Sequence, residues 1–383
     1  MKRLLLGTAI VLWGAVICSS SLHATIQRYD TQPTKYLIIN EAESSFMDLL
    51  GYQDIDISGP IVPWNRLKTY DQSKIINIVY FADEKYLPYT YTSLVSILDN
   101  SKLRERKEPI RFTIVLDEIE FKGTLNDDTT RSTNALFLLF NRDTYKYDIE
   151  YIPIPDRERE RINQFNSYNW PKNVFLKLFV SNFLTYDRCI YLDGDTVCVN
   201  DIRELWNIDL KNACIGGCKE PFVSKINHPY YNGGVWLFDL KKMRAVDFAN
   251  EIKTMTHKGQ KRSKFYTEEA GLRDYGKEHG IVSMDCRFNM PPLAIPNEFH
   301  PNASSHDWAF KNNNSSVLTR ESVINLTIMH YYYQPKPWDC VQQYEAARCP
   351  SYESTENNFW KTTWKHNPWS FWVWYKYYKA ANL

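Results

Sequence analysis

Two aspartates separated by one residue, Asp193 and Asp195, are the side chains in this sequence best placed to bind a divalent cation. They follow the apolar run 189–192, and a second apolar run follows them. Such a run of β-branched and aromatic residues is typical of a buried parallel strand. A buried carboxylate is costly unless its charge is compensated, and oxygen ligands at a strand end suit a cation that also binds phosphate. The alternative is an ordinary Asp-Gly-Asp turn.

The elements that must position this pair alternate between strands and helices. Before the pair, the pattern predicts strands at 75–82, 110–116 and 149–154, helices at 89–99 and 174–184, and a charged insert at 156–161. After it, the pattern predicts strands at 213–218, 234–239, 281–284 and 323–329, and helices at 240–256 and 268–278. This alternation predicts an α/β fold whose central sheet is mostly parallel and flanked by helices.

Length and composition exclude some other classes of protein. The chain has 383 residues, which is enough to bury a large core. Its 46 basic residues nearly balance 45 acidic ones, and the formal net charge of +1 leaves no basic field for a nucleic-acid partner. Aromatic residues make up 15% of the chain, which suits stacking on sugar rings as well as an aromatic core.

The two ends of the chain are expected to lie outside the α/β fold. Lys2 and Arg3 precede an apolar stretch over 4–18, with a candidate cleavage site after Ala24. Residues 1–24 are therefore a signal peptide or a short signal-anchor, and both stay open because the stretch is short for a spanning helix. The polar residues 25–74 are expected to form a stem or arm. Residues 341–383 are a Trp- and Lys-rich amphipathic tail, which would lie in a membrane interface or pack as a helix on its own domain.

Four further segments resemble glycosyltransferase family 8, which includes bacterial lipooligosaccharide galactosyltransferases and glucosyltransferases and the glycogenins. Residues 78–86 resemble its first strand and nucleotide-binding loop, and residues 175–179 resemble the helix before the metal strand. Residues 231–235 resemble its Asn-Gly-Gly motif, and residues 330–338 resemble its His-x-x-Gly-x-x-Lys-Pro-Trp signature. The resemblance implies a retaining enzyme with the Rossmann-like GT-A fold, whose catalytic domain we expect over residues 75–340.

The resemblance also implies a metal site. Mn²⁺ or Mg²⁺ would be bound by Asp193, Asp195 and His330. The alternative for His330 is a hydrogen-bonded core histidine. Lys336 would contact the diphosphate of a UDP-sugar and stabilise the negative charge that develops on it, and Lys177, where the family usually has Arg, would supply further positive charge.

Contacts to the nucleotide and the sugar follow from the same resemblance. Ala82 and Asp83 would hydrogen-bond the uracil, and Tyr86 would stack on it. Asn232 and Gly233 would line the sugar pocket, where small residues let the backbone approach the ligand. The alternatives are a strand end, a core tyrosine and a tight turn ahead of a strand.

Two positions depart from the family pattern. Glu268 and Glu269 stand where the family has Asp-Gln at the start of a helix, so that Glu269 replaces a glutamine below the anomeric carbon. A carboxylate there would act as a nucleophile or stabilise an oxocarbenium-like transition state, and the alternative is an acidic first turn of a helix. Tyr333 replaces a glycine whose amide approaches the diphosphate, which we expect to weaken nucleotide affinity.

Together these residues predict a metal-dependent retaining glycosyltransferase. It would move a hexose or pentose from a UDP-sugar to a glycan, glycolipid or glycoprotein acceptor. The two departures motivate an alternative, a catalytically inactive member of the same fold that binds a nucleotide sugar or a glycan.

The expected compartment follows from where the donor is found. The favoured one is the Golgi or ER lumen, for a single-pass type II membrane protein or a secreted protein, because a nucleotide sugar is present there. The alternative is a bacterial protein on the inner membrane, in contact with the membrane surface through the N-terminal anchor and the C-terminal tail.

Overall fold

The central sheet carries most of the elements that the sequence predicts. The computed structural model describes residues 70–83, 85–100, 108–116, 146–167, 170–221, 229–295, 318–333, 336–340 and 368–381. All of them lie in one unit formed by residues 57–295 and 308–383.

The strands in these ranges form two sheets. They are β1 (Ile76–Ala82), β2 (Ile110–Leu116), β3 (Tyr147–Pro153), β4 (Arg188–Leu192), β5 (Thr196–Cys198), β6 (Ile215–Lys219), β7 (Tyr231–Asp239), β8 (Val282–Met284) and β9 (Ile328–His330). Seven strands form one sheet in the order β3-β2-β1-β4-β7-β6-β8, and β5 pairs with β9. Only β7 runs antiparallel to its neighbours in the larger sheet. The prediction of a mostly parallel central sheet is therefore confirmed.

Helices flank this sheet. They are α1 (Leu87–Asn100), α2 (Asp156–Asn163), α3 (Arg203–Trp206), α4 (Leu240–Ala245), α5 (Phe248–Arg262), α6 (Glu268–His279), α7 (Arg320–Ile324) and α8 (Pro368–Ala381). The segment Lys172–Asn182, predicted as a helix at 174–184, is a 3₁₀ helix. Shorter 3₁₀ turns are found at Gln72–Lys74, Cys286–Phe288, Pro292–Ala294 and Pro337–Cys340.

The core lies between the central strands and the helices that cover them. Strand β1 is buried except for the partly exposed Phe81. A central parallel strand is covered on both faces, so its sequence is a nearly continuous apolar run rather than an alternating one. The large rings of Phe175, Phe179, Trp236 and Phe238 belong to this core. Strand β4, which Asp193 follows, is thus held between β1 and β7 in the covered part of the sheet.

Two helical predictions are corrected by the structure. The predicted helix 240–256 is split into α4 and α5, because Asp247 adopts a left-handed backbone conformation with φ of 52°. The apolar pattern runs across this break and does not show it. The charged segment 156–161, expected to be an insert, is part of α2, where Arg161 pairs with Glu158 one turn earlier (3.1 Å) and Ile162 is buried.

Two predicted strands are corrected as well. Residues 323–329 contain the end of α7 and the start of β9, and Thr319 caps α7 by accepting a hydrogen bond from the Ser322 N–H (3.0 Å). Strand β7 begins at Tyr231 rather than at 234. Asn232 and Gly233 therefore lie inside a strand and not in a turn ahead of it.

The terminal predictions lie mostly outside the described residues. This holds for residues 1–24, for 25–69 of the stem and for 341–367 of the tail. Within the described ranges, no helix is both long and apolar enough to cross a membrane. Residues 368–381 of the tail form α8, whose Phe371, Trp374 and Tyr377 are buried, and the Tyr377 hydroxyl donates to Asp99 of α1 (3.1 Å). Helix α8 thus packs on its own domain through these side chains.

Candidate metal and donor site

The predicted metal ligands meet where β4, β5 and β9 converge. Asp193 follows β4, Asp195 precedes β5, and His330 ends β9 opposite Thr196 of β5. One ligand atom from each residue lies within 4.8 Å of the others. His330 Nε2 is 3.0 Å from Asp195 Oδ1 and 3.7 Å from Asp193 Oδ2. Two strand pairings thus bring together residues that are distant in the sequence.

Two glycines make this convergence possible. A Cβ on Gly234 would lie 1.9 Å from His330 Cε1, so only glycine lets β7 pass beside the imidazole. A Cβ on Gly194, between the two aspartates, would lie 2.7 Å from Oγ1 of Thr90 in α1. The turn after β4 therefore packs closely against α1.

A chain of hydrogen bonds sets which nitrogen of His330 carries the proton. The Gly234 N–H donates to Asn232 Oδ1 (3.0 Å), and Asn289 Nδ2 donates to the same oxygen (3.1 Å). Asn289 Oδ1 then faces His330 Nδ1 at 2.8 Å, and an oxygen can only accept there. In neutral His330 the proton therefore lies on Nδ1, and Nε2 presents its lone pair toward Asp195.

The ligand atoms of Asp193, Asp195 and His330 fit a divalent cation. The Nε2 lone pair and the Asp195 Oδ1 atom, both acceptors, are held close only if a proton or a cation lies between them. Two carboxylates and one imidazole are a suitable ligand set for Mn²⁺ or Mg²⁺, with positions left for phosphate oxygens. The hydrogen bond from Nδ1 to Asn289 is the kind of outer contact that fixes a metal-binding histidine.

Lys336 gives this cluster a positive partner. Its Nζ donates to Asp195 Oδ2 (2.5 Å) and to the Tyr331 carbonyl (2.6 Å). Burial alone would raise the pKa of Asp195, but the charge of Lys336, together with that of His330 when its imidazole is protonated, outweighs burial and holds that pKa well below its ordinary range. Asp195 is therefore ionised, as a metal ligand must be.

A second buried charge network lies beside the metal cluster and is centred on Lys177. Its Nζ donates to the Gly233 carbonyl (2.9 Å) and to Glu268 Oε1 (3.4 Å), and lies 3.7 Å from Asp193 Oδ1. Burial would lower the pKa of Lys177, but the negative charges of Asp193, Glu268 and Glu269 outweigh it and raise that pKa. The amine is thus kept charged between the metal cluster and the start of α6.

Glu269 lies on the other side of Gly233. Its Oε1 accepts the Gly233 N–H (2.5 Å), and its Oε2 accepts the Tyr230 hydroxyl. Burial, followed by the charge of Glu268, raises the pKa of Glu269 to about 7, although both hydrogen bonds and Lys177 act in the opposite direction. Burial likewise raises the pKa of Glu268, against the effect of Lys177. Glu269 is therefore a fixed carboxyl group that can gain or lose a proton near neutral pH.

The predicted nucleotide residues lie at the end of β1 and the start of α1. Ala82 ends β1 and is buried, and Asp83 Oδ1 accepts the Tyr86 N–H (2.9 Å) at the entrance to α1. The Tyr86 side chain is 39% exposed. Burial, with the charges of Asp195, Asp83 and Asp193, raises the pKa of Tyr86 to about 12. The charges of the metal cluster therefore act on the Tyr86 hydroxyl, while part of the ring remains exposed to a ligand.

Tyr333 is anchored to a buried carboxylate. Its hydroxyl donates to Glu220 Oε1 (3.3 Å), and the hydroxyl of Tyr332 donates to the same oxygen (2.7 Å). Glu220 is 4% exposed, whereas Tyr333 is 37% exposed, and the Tyr332 ring lies edge-on to His330 at 4.8 Å. The residue that replaces the expected glycine is therefore held at the border of the metal cluster.

The sequence of this chain matches that of a known family over most of its length. The family described as glycosyl transferase family 8 matches residues 77–341. The chain belongs to glycosyl transferase family 8. This confirms the resemblance that the four motifs indicate.

Several relatives and one solved structure agree with this family assignment. An Escherichia coli lipopolysaccharide 1,2-glucosyltransferase is 28% identical over 191 residues, which cover 46% of this chain and 51% of that protein. An Arabidopsis thaliana galacturonosyltransferase-like 10 protein is 22% identical over 344 residues, which cover 81% and 83%. The galactosyltransferase LgtC in complex with donor and acceptor sugar analogs has a TM-score of 0.50 at 19% identity, covering 80% of this chain and 95% of that one. This last likeness shows a shared GT-A-type fold.

Sequence reasoning missed four residues that shape the family 8 site of this chain: Glu220, Tyr230, Gly234 in its contact with His330, and Asn289. A signal existed for Glu220, which follows β6 as Asp193 follows β4. Asn289 lies in a short 3₁₀ region with no motif. Its role depends on a partner 41 residues away in the sequence, so no local pattern predicts it.

Proposed function

We propose that this family 8 protein is a metal-dependent retaining glycosyltransferase that moves a hexose or pentose from a UDP-sugar to an acceptor hydroxyl. The observation that carries the proposal is the group of Asp193, Asp195 and His330 beside Lys336 at the ends of β4 and β9. The names of two relatives, which refer to glucosyl and galacturonosyl transfer, support the transfer of a sugar residue.

Each charged residue has a role that its contacts support. Asp193, Asp195 and His330 would hold Mn²⁺ or Mg²⁺, which supplies positive charge to the departing diphosphate. The Lys336 ammonium uses two of its three donors on Asp195 and Tyr331 among the described residues, so a third remains for a diphosphate oxygen. Lys177 keeps the Gly233 carbonyl and the Asp193 carboxylate in place.

The nucleotide and sugar would lie along the line from β1 to β7. Tyr86 would stack on the uracil, with Ala82 and Asp83 at its polar edge. Asn232 and Gly233 would border the sugar, and Glu269, bound to the Gly233 N–H, would lie beside its anomeric carbon.

Two retaining routes are compatible with Glu269. In the first, the bond from the anomeric carbon to the diphosphate breaks, its electron pair leaves with UDP, and the acceptor hydroxyl attacks the same face and gives its proton to the leaving phosphate. In the second, a Glu269 oxygen first forms a bond to the anomeric carbon as the electron pair of the breaking bond leaves with UDP. The acceptor hydroxyl then attacks that carbon, the Glu269 carboxylate leaves with the electron pair of its own bond, and the hydroxyl proton passes to a phosphate oxygen of the bound UDP. Glu269→Gln separates the routes, because the second route predicts a loss in kcat of far more than about tenfold, and near-wild-type turnover would leave only the first.

Acceptor and compartment remain part of the proposal. We propose a glycan, glycolipid or glycoprotein acceptor, and the Golgi or ER lumen as the favoured location, with a bacterial inner-membrane surface as the alternative. The lipopolysaccharide substrate named for one relative fits the second location.

The test is turnover of the purified full chain with a panel of UDP-sugars in Mn²⁺, in Mg²⁺ and in EDTA. We expect one donor to release UDP in Mn²⁺, and we expect EDTA or Asp195→Asn to abolish that release. Glu321→Gln, which changes an exposed carboxylate of α7, is the matched control and should leave turnover unchanged. Absence of binding and of turnover with every UDP-sugar would refute the proposal.

A catalytically inactive binding protein of the same fold is the second candidate. It is favoured by the two departures from the family pattern: Tyr333, which is fixed to Glu220 where the family has glycine, and the Glu268–Glu269 pair at the start of α6. Saturable binding of a UDP-sugar without UDP release, with or without an acceptor, would decide for this second function.

A further inference from the structure

Helix α8 contacts the domain at the two elements that carry the proposed donor site. On the side of α1, the Tyr377 hydroxyl contacts Asn100 (2.5 Å) and Asp99 (3.1 Å). On the side of the segment after β9, the Ser370 carbonyl accepts the Tyr331 hydroxyl (2.6 Å). Tyr331 directly follows the metal-ligand candidate His330, and its carbonyl accepts the Lys336 ammonium. Helix α8 therefore contacts both α1 and the segment that follows β9.

Four rings connect α8 to the exposed face of the site, and we name Tyr86, Tyr89, Trp338 and Trp374 the aromatic column. Tyr89 and Trp338 are stacked with centroids 3.8 Å apart and an interplanar angle of 10°. Tyr86 stands edge-on to both of them, at 5.8 Å from each. Trp374 lies behind the stacked pair, 6.4 Å from Tyr89 and 6.1 Å from Trp338.

The two ends of the column differ in exposure. Trp374 is 0% exposed and is itself stacked on Tyr378 at 4.7 Å, whereas Tyr86 is 39% exposed. In the middle, the Lys336 ammonium lies 5.7 Å from the centroid of the Trp338 ring. A displacement of Trp374 would therefore shift Trp338, which contacts both Tyr86, proposed to stack on the base, and Lys336, proposed to contact the diphosphate.

We propose that α8 supports the donor site and that Trp374 is a positioning residue that fixes Tyr86 through Tyr89 and Trp338. This inference rests on the proposed function, since it assigns nucleotide binding to Tyr86. A ring that is already held in its binding orientation loses less conformational freedom when the base stacks on it. The gain in nucleotide affinity therefore comes from order imposed by a helix that does not touch the nucleotide.

The ring of Trp374, rather than its N–H group, performs this role. The buried indole N–H has no hydrogen-bond partner among the described residues, so it adds no polar contact to the column. Phenylalanine keeps an aromatic face at this position and does not bury an unpaired donor. Trp374→Phe should therefore retain the function, whereas Trp374→Met fills much of the same volume without a ring.

The experiment measures UDP binding to the full chain in Mn²⁺ by calorimetry for wild type, Trp374→Met and Trp374→Phe. We expect the Kd for UDP to rise about 3- to 10-fold in Trp374→Met, the equivalent of one aromatic pair, and to return close to the wild-type value in Trp374→Phe. In turnover, KM for the donor should rise in Trp374→Met while kcat stays within about twofold. Phe248→Met is the matched control, because Phe248 is equally buried but packs edge-on to Tyr275 at the interface of α5 and α6.

Two readouts separate this role from a general loss of stability. Trp374→Met and Phe248→Met should both lower Tm, but only the first should change the Kd for UDP. Because both variants lack the Trp374 indole, their near-UV circular dichroism without nucleotide is compared between them, and the signal of the stacked Tyr89 and Trp338 rings should be weaker in Trp374→Met than in Trp374→Phe. If Trp374→Met fails to fold, Tyr378→Leu removes the ring stacked on the outer side of Trp374 and tests the same support.

The outcomes distinguish the inference from the function on which it rests. A wild-type protein that does not bind UDP in Mn²⁺ would overturn the proposed function, and the role of α8 with it. If the wild type binds UDP and a folded Trp374→Met protein binds it with the same Kd, the role of α8 alone is overturned. An equal loss of affinity in Phe248→Met would also overturn it.

Discussion

The protonation of Glu269 is the residue-scale property most open to measurement. Its carboxyl group is held by the Gly233 N–H and the Tyr230 hydroxyl, yet burial and the neighbouring Glu268 raise its pKa from 4.5 to about 7. Such a shift is a stability statement, because the folded state then binds a proton over a pH range in which the unfolded chain has released it.

We expect Glu269→Gln to be more stable than the wild type above pH 7. Between pH 4.5 and 7 the folded wild type binds more protons than the unfolded chain, so its free energy of unfolding falls as pH rises through this window. Glutamine does not titrate, and its advantage should reach about 1–3 kcal/mol at pH 8 and disappear toward pH 5. Urea unfolding in EDTA at both pH values measures this difference. Glu321→Gln is the control, and an advantage for Glu269→Gln that is equal at both pH values would contradict the expectation.

Asn289 offers a second test at the scale of one residue. Asn289→Leu removes the acceptor that holds the proton of His330 on Nδ1, so we expect Mn²⁺ to bind about 10- to 100-fold more weakly. Titration followed by Mn²⁺ electron paramagnetic resonance measures the Kd without any need for turnover. Asn289→Asp keeps an acceptor for Nδ1 and should lose less affinity, and the surface change Asn250→Leu should lose none. Wild-type affinity in Asn289→Leu would show that Asn289 does not orient His330.

At the scale of elements, the site depends on how closely β7 and β9 approach. The Asp193 N–H donates to the Gly234 carbonyl (2.8 Å), which joins the end of β4 to β7, while the His330 ring of β9 fills the space that a side chain on Gly234 would take. The Asn-Gly-Gly motif therefore contacts the metal cluster through Gly234, and Gly233 contacts Glu269 and Lys177 on the side proposed for the sugar.

Gly234→Ala should displace the imidazole of His330. The added methyl group would lie 1.9 Å from Cε1, and overpacking of this kind destabilises a core by roughly 1–3 kcal/mol. We expect a lower Tm and a Kd for Mn²⁺ raised by more than about tenfold. Gly216→Ala in β6 is the matched control, because its Cβ would meet the movable ends of Leu210 and Met284. That variant should keep its Mn²⁺ affinity, and a Gly234→Ala protein that also keeps it would exclude the close approach as a requirement.

At the scale of the whole molecule, metal binding should be visible as stability. Asp193 and Asp195 add two negative charges to one site, and a cation that binds only the folded state stabilises it in proportion to the logarithm of its concentration. The site draws ligands from both sheets, so this stabilisation acts on the fold as a unit.

We expect Mn²⁺ at about 100 times its Kd to raise Tm by roughly 3–10 °C, because saturation of this order adds about 2.7 kcal/mol and a chain of this size gains a few degrees per kcal/mol. Asp195→Asn should abolish the rise measured by differential scanning calorimetry. Glu251, Glu278 and His279 form an exposed group whose ligand atoms also lie within 4.8 Å of one another. His279→Asn should leave the Mn²⁺-dependent rise in Tm unchanged. If that rise is lost in His279→Asn, the metal binds at the second group instead.

The sequence by itself determined the central sheet and the identity of the metal-ligand candidates. Strands such as 110–116 are mostly apolar because both of their faces are largely buried, and that property is visible in consecutive residues. The Asp-Gly-Asp pair and the His-to-Trp segment 330–338 are likewise local patterns, readable without knowledge of what they contact. An apolar pattern does not show the end of a helix where the pattern continues through a change of backbone conformation, as at Asp247.

Only the tertiary structure decided which partners these residues have. An apolar face of α8 would suit a membrane as well as a protein, and the packing of Trp374 behind Tyr89 and Trp338 assigns it to the domain. The need for glycine at 234 exists only because a histidine from β9 lies against it. A side-chain pattern encodes how much surface must be buried, whereas the hydrogen bond from His330 to Asn289 depends on which distant segments the completed sheet brings together.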